Sequence, residues 1–131
     1  MMHAVRWTDI PDEFVRAGVR RRGFGTKDCL LVMNECTPGM DVRSHVHEDF
    51  DQIAMILSGR AIYHVGDAAN EMGPGSIVLI PAGVWHSIDP VGEEVVQNID
   101  VFTPCREDLA HLLEWMGGDR PAGGAIGADR G

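Results

Sequence analysis

The sequence predicts an all-β domain, a sandwich or closed barrel, on three observations. Five short runs rich in aliphatic and β-branched residues recur through the middle of the chain: "CLLVMNE", "QIAMILSG", "AIYHV", "GSIVLIP" and "VVQNIDVF". Turn chemistry separates them, in "TPG", "SGR", "GDAAN", "MGPG", "PAG" and "DPVG". Only one later stretch changes texture to a helical stripe, and the regular spacing of the runs is that of a sandwich or barrel. At 131 residues the chain has room for one domain with a modest core, and not for a second.

The elements follow in order. The opening "WTDIPDEFVRAGVRRRGFG" fits a short helical turn and then a strand, which could pair across a dimer. Within it, Arg20–Arg22 reads as a charged edge strand that discourages sheet-to-sheet aggregation. The strand runs then carry a barrel over about residues 27–104. In "TPCREDLAHLLEWM" a helix is expected over about residues 105–116. Pro104 suits its first turn, Glu107 and Asp108 suit its positive end, and Leu109, Leu112, Leu113 and Met116 make an apolar stripe for the core. Residues 117–131, "GGDRPAGGAIGADRG", offer little to bury and read as a flexible tail, so the domain itself is residues 1–116.

Charge narrows the partners. The net charge is −9, which repels polyanions, so nucleic acid is not an expected partner. The first 27 residues hold six of the eleven basic side chains, and the remainder is strongly acidic. Cys29, Cys36 and Cys105 are odd in number and lack CxxC spacing, which fits reduced thiols better than a disulfide framework or a zinc ribbon. The start has no apolar signal core, and no run approaches the roughly 18 residues of a membrane span. A cytoplasmic protein with no membrane partner is expected.

The chemistry concentrates in two stretches. In "SHVHEDFDQIAMILSGR", His45 and His47 sit at i and i+2, so on a strand both imidazoles leave one face. Gln52 lies an odd five positions after His47 and joins them only if "EDFD" bends or bulges. In "GPGSIVLIPAGVWHSIDP", Pro81-Ala82-Gly83 makes a turn just before His86.

These two stretches resemble the paired motifs of the cupin superfamily, whose fold is a double-stranded β-helix, or jelly-roll barrel. The first motif is matched by Gly39, His45, His47, Gln52 and Gly59, with glutamine where glutamate is usual. The second is matched by Gly75, Pro81, Gly83 and His86, with Pro90 where asparagine is usual. A small single-domain cupin is the expected fold, with one short C-terminal helix. Three imidazoles suit a divalent transition metal, Zn, Ni, Fe, Mn or Cu, and spacing does not separate these. With Gln52 as a neutral fourth ligand the ion's charge stays uncompensated, which strengthens it as a Lewis acid and favours anionic substrates. The alternative for Gln52 is a hydrogen bond nearby, leaving three protein ligands.

The last strand adds Asp100 and Phe102 on one face, with Ile99 and Val101 on the other. If the first pair faces inward, a carboxylate lies beside the metal ligands as a general acid or base. A narrower resemblance bears on this. "HEDFDQI", His86 and "NIDVFTPCRED" are similar to the KdgF family, small cupins that linearise 4,5-unsaturated uronates, over roughly residues 27–109. That resemblance implies that His45, His47, Gln52 and His86 hold the metal. It also implies that Asp100 transfers the proton, and that Phe102 and Arg106 shape the substrate end. Arg106 could be a fork for a uronate carboxylate or could pair with Glu107 or Asp108 beside it.

His64 could point into the barrel or to solvent, and alternation puts Tyr63 on the opposite face. Trp85 reads as packing. The resulting expectation is a metal-dependent, ring-opening or tautomerising enzyme for a sugar-acid-like substrate, working as a homodimer. An iron or nickel dioxygenase and a non-catalytic small-molecule-binding cupin are the competing readings.

Overall fold

The computed structural model describes residues 4–119, and the expected tail lies, from residue 120 on, outside the described residues. Among the described residues nine strands form two antiparallel sheets: β1 (Glu13–Arg16), β2 (Val19–Gly25), β3 (Leu30–Cys36), β4 (Gln52–Ser58), β5 (Arg60–Val65), β6 (Ala68–Met72), β7 (Ile77–Ile80), β8 (His86–Val91) and β9 (Val96–Phe102). The larger sheet runs β1-β2-β3-β9-β4-β7 and the smaller β6-β5-β8. The five runs singled out above are β3, β4, β5, β7 and β9.

Alternation along these strands decides what faces the interior. On β4, Gln52, Ala54 and Ile56 point inward, and on β9 so do Asn98, Asp100 and Phe102. Between the sheets, Val19, Cys36, Met40, Ala54, Ile56, Ala61, Tyr63, Met72, Ile80 and Val96 pack into one apolar core. A second core fills the other end, where Leu30, Val32 and Phe102 meet Leu109, Leu112, Leu113 and Met116 from the C-terminal segment. The apolar stripe read from the sequence is therefore what closes the barrel.

That segment differs in form from the expected helix. It is a 3₁₀ segment, Glu107–Asp119, broken at Gly117, where φ is 67°. It begins after Pro104 rather than at it, so the proline lies in the connection. Gly23 lets the segment sit close, since a Cβ there would stand 2.5 Å from the Leu112 Cβ. The Gly23 carbonyl accepts from Trp115 Nε1 at 2.9 Å.

Three expectations are corrected. Arg20–Arg22 do not form an edge strand, because β2 lies between β1 and β3. Each arginine instead meets an acid: Arg20 meets Asp12 (2.7 Å), Arg21 meets Glu13 (2.6 Å) and Arg22 meets Glu35 (3.0 Å). "GDAAN" does not simply turn, because Ala68–Met72 pairs with β5 through its backbone while its first four side chains face solvent. Pro90 likewise sits inside β8, where the sheet edge spares its missing N–H a partner. The opening does contain a short helical turn, Trp7–Asp9, and β1 pairs with β2 of the same chain. Cys29, Cys36 and Cys105 are free thiols. Among the described residues no helix is long and apolar enough to cross a membrane.

Candidate metal centre and substrate cavity

Backbone bonds stitch the two motif stretches together. His45 and His86 exchange N–H···O bonds of 2.9 Å in both directions, as an isolated bridge. Gly83, at φ 81°, donates its N–H to the His47 carbonyl at 2.8 Å, and Ala82 N–H reaches Asp51 Oδ1 at 2.9 Å. The Pro81-Ala82-Gly83 turn therefore sets the height of His86 against the first motif. Bends at Glu48 and Asp49 supply the irregularity that brings Gln52 to the histidines' side.

The three imidazoles converge. Their candidate ligand nitrogens lie within 4.8 Å of one another. Nδ1 of His86 faces the Val84 carbonyl at 3.0 Å, and Nδ1 of His45 faces the Arg43 carbonyl at 3.3 Å. A carbonyl only accepts, so each Nδ1 carries the proton and leaves Nε2 with a lone pair. Burial lowers the pKa of all three histidines, and for His47 burial and the nearby Arg106 charge bring it to about 4. At neutral pH the cluster is uncharged, the form a metal requires. His47 also stacks on Phe50, with centroids 4.8 Å apart and planes 22° apart.

Gln52 is buried, and its Nε2 donates to Asp100 Oδ1 at 2.9 Å. Because a carboxylate accepts, this bond turns the amide so that Oε1 points away from Asp100. Among the described residues, that oxygen and His86 Nε2 are buried without a hydrogen-bond partner. A buried acceptor left unpaired costs roughly 1–3 kcal/mol. Two of them at one cluster of imidazoles fit a cation held by His45, His47, His86 and the Gln52 carbonyl.

Asp100 lines the same cavity. Its Oδ1 accepts from Gln52 Nε2 and from Asn98 Nδ2, each at 2.9 Å, and its Oδ2 accepts from Asn34 Nδ2 at 2.8 Å. Burial pushes its pKa up to about 6, against the pull of these amide donors and of Arg106. Asn98 is held in turn, since Tyr63 OH donates to its Oδ1 at 2.7 Å. Asn34 and Asn98 were not among the expected site residues. Their signal in the sequence is an amide at an inward position of a strand, Asn34 between Val32 and Cys36 on β3 and Asn98 between Val96 and Asp100 on β9.

Phe102 is buried at the base of the cavity, and the Arg106 guanidinium lies over its ring at 4.8 Å and over Phe50 at 5.4 Å. Of the two partners open to Arg106, the structure realises Asp108: Nε donates to Oδ1 at 3.1 Å and Nη2 to Oδ2 at 2.6 Å. Tyr63 faces inward and His64 is exposed, which settles their alternation in favour of the tyrosine. Trp85 is 58% exposed, so the packing role expected of it is not found. Cys36 lines the cavity, but burial pushes its thiol up to about 12, which makes it a poor nucleophile.

The cavity measures about 360 Å³ and is lined by four arginines, Arg16, Arg21, Arg43 and Arg106, with Asp100 its one acidic lining residue. Three of these arginines meet carboxylates, Arg21 with Glu13, Arg43 with Asp41 and Arg106 with Asp108.

The model of the cupin domain matches residues 33–102, which includes both motifs and β9. Among solved structures, KdgF from Halomonas sp. superposes with a TM-score of 0.71 at 23% identity, over 78% of this chain and 94% of that one. A predicted oxalate decarboxylase from Thermotoga maritima gives 0.68 at 21% identity, over 79% and 100%. Two uncharacterized proteins match in sequence. One, from Streptomyces coelicolor, is 35% identical over 54 residues, 41% of this chain and 50% of its own length. The other, from Acanthamoeba polyphaga mimivirus, is 36% identical over 61 residues, 44% of this chain and 38% of its own. The match thus spans half or less of those curated relatives. Two sheets closed around a histidine cluster, with the domain match over more than half of the sequence, place this chain in the cupin family.

Proposed function

We propose that the protein is a metal-dependent cupin enzyme that opens or tautomerises a small sugar acid, with a 4,5-unsaturated uronate as its substrate. The observation that carries this reading is Asp100, a carboxylate in the cavity wall, one hydrogen bond from Gln52 and with a pKa near 6. A group poised there can both give and take a proton close to neutral pH. The likeness to KdgF in fold, together with the glutamine at the fourth ligand position, supports the choice of substrate class.

His45, His47, His86 and Gln52 would hold one divalent transition metal, which supplies Lewis-acid polarisation of a substrate oxygen. Asn34, Asn98 and Gln52 fix the Asp100 carboxylate from three sides, so its protons are exchanged with the substrate from one direction. Asp100 would take the proton of the anomeric hydroxyl as the hemiacetal C1–O5 bond breaks, and deliver a proton to C4 of the resulting C4=C5 enol, which leaves the open-chain 5-keto acid. Phe102 and Arg106 would form the wall against which the sugar ring lies, with the Arg106 guanidinium held over the rings of Phe102 and Phe50. No oxidation or reduction of the substrate is involved.

The test follows the ultraviolet absorbance of a 4,5-unsaturated uronate with metal-loaded protein, against its spontaneous decay, with Asp100→Ala alongside. Accelerated loss by wild type and not by the variant is expected. No acceleration with any of the five metals would overturn the substrate assignment, and oxygen uptake with Fe²⁺ in its place would move the assignment to a dioxygenase.

A further inference from the structure

Arg16 differs from every other arginine of the cavity. Arg21 pairs with Glu13, Arg43 with Asp41 and Arg106 with Asp108. Among the described residues no carboxylate lies within ion-pair distance of Arg16. Its Nε donates to the Asp41 carbonyl oxygen at 2.7 Å, which fixes the side chain without neutralising it.

The backbone explains why Arg16 reaches the cavity at all. In a regular strand Val15 and Arg16 would face opposite sides, yet both line the cavity. The register of β1 against β2 shifts between Phe14, which faces Arg20, and Arg16, which faces Val19. This one-residue bulge re-aims the side chain inward. The result is a half-buried arginine that lines the same cavity as His45.

Arg106 is the less available of the two. The Nε–Nη2 edge that would grip a carboxylate is already on Asp108, and its face lies on Phe50 and Phe102. A ligand carboxylate must displace Asp108 to be held fork-on by Arg106. At Arg16 only Nε is engaged, by the Asp41 carbonyl, so a ligand carboxylate can bridge Nη1 and Nη2 without displacing a carboxylate of the described residues.

We propose that Arg16 is the residue that takes the ligand's carboxylate, and that it sets the preference of this cavity for a small acid over a neutral sugar. The proposal rests on the reading of the cavity as a sugar-acid site and names the residue that reads the acid. A charge-assisted, two-point contact of this kind fits a carboxylate better than a hydroxyl.

The experiment titrates galacturonate, its neutral counterpart galactose, and propionate into the full chain, metal-loaded and chelator-treated in parallel, and follows amide shifts by NMR. Arg16→Gln, which keeps an N–H donor for the Asp41 carbonyl, is expected to weaken galacturonate binding about 10- to 100-fold. Arg16→Lys should fall between, Arg60→Gln, at an arginine paired with Glu71 outside the cavity, should stay within about threefold of wild type, and galactose should bind all of them weakly. Retained binding in Arg16→Gln with loss in Arg106→Gln would overturn the proposal. Equal affinity of wild type for galactose and galacturonate would overturn it too, as would no binding of either acid. Arg16-dependent binding of propionate without binding of galacturonate would uphold the carboxylate contact and remove the sugar-acid reading instead.

Discussion

Replacing Asp100 by Asn tests the wiring of the site in the metal-free protein. At Asp100 one carboxylate accepts three amide donors, two on Oδ1 and one on Oδ2. An asparagine has one acceptor oxygen. In its better orientation it keeps Gln52 and Asn98 and turns its own NH₂ toward Asn34, leaving a buried donor unpaired at a cost of about 1–3 kcal/mol. The substitution also removes the penalty of holding a carboxylate out of water. A pKa of about 6 against the ordinary 3.8 makes that about 3 kcal/mol above pH 6. The two effects nearly cancel at pH 7.5, where chelator-treated Asp100→Asn should unfold within about 2 kcal/mol of wild type.

They do not cancel in acid. Between pH 4 and 6 the native carboxyl keeps its proton while the unfolded one has lost it, so the Asp100 contribution to stability falls as pH rises through that window. The histidines are common to both proteins and drop out of the difference. Urea unfolding at pH 4, 5, 6 and 7.5 should therefore show wild type losing its lead over the variant by about 2 kcal/mol from the lowest pH to the highest. Parallel stability curves across that range would refute the raised pKa and with it the argument that burial governs this carboxylate.

Three further outcomes are expected. Gln52→Leu removes the orphaned Oε1 and should weaken metal binding tenfold or more by competition with a chelating dye, whereas unchanged affinity would leave a three-imidazole site. Gly23→Ala drives a methyl against the Leu112 Cβ and should cost about 1–3 kcal/mol in denaturant unfolding, by prising the C-terminal segment from the barrel end. Ile53, Leu57, Ile77 and Leu79 lie exposed on the outer face of β4 and β7, and we propose that a second copy of the chain covers them. Leu79→Lys should then shift the sedimentation of the protein from dimer to monomer, and a wild type that sediments as a monomer would dismiss the idea.

The sites of greatest chemical specificity were legible in the chain because local spacing carries them. His45, His47 and His86 sit at motif offsets beside turn glycines, and turn geometry is a short-range property. The inward placement of Asp100 with Phe102 followed from alternation once one of the two faces was known to be buried. Strands without apolar alternation were not legible. Ala68–Met72 is held by backbone bonds that leave no trace in its side chains.

By itself, then, the sequence determined the β-rich class and the apolar stripe that closes the end, as consequences of periodicity and local turns, while the grouping of His86 and Gln52 with His45 and His47 was implied by the resemblance to the cupin motifs. Tertiary structure decided the rest. Only the pairing of β1 with β2 shows that Arg20–Arg22 lie inside a sheet and that a bulge turns Arg16 into the cavity. Only the meeting of β3, β4 and β9 brings Asn34, Gln52 and Asn98 onto one carboxylate across sequence separations of up to 66 residues. Hydrogen bonds between strands depend on register and strand order, which long-range packing fixes and no local pattern encodes.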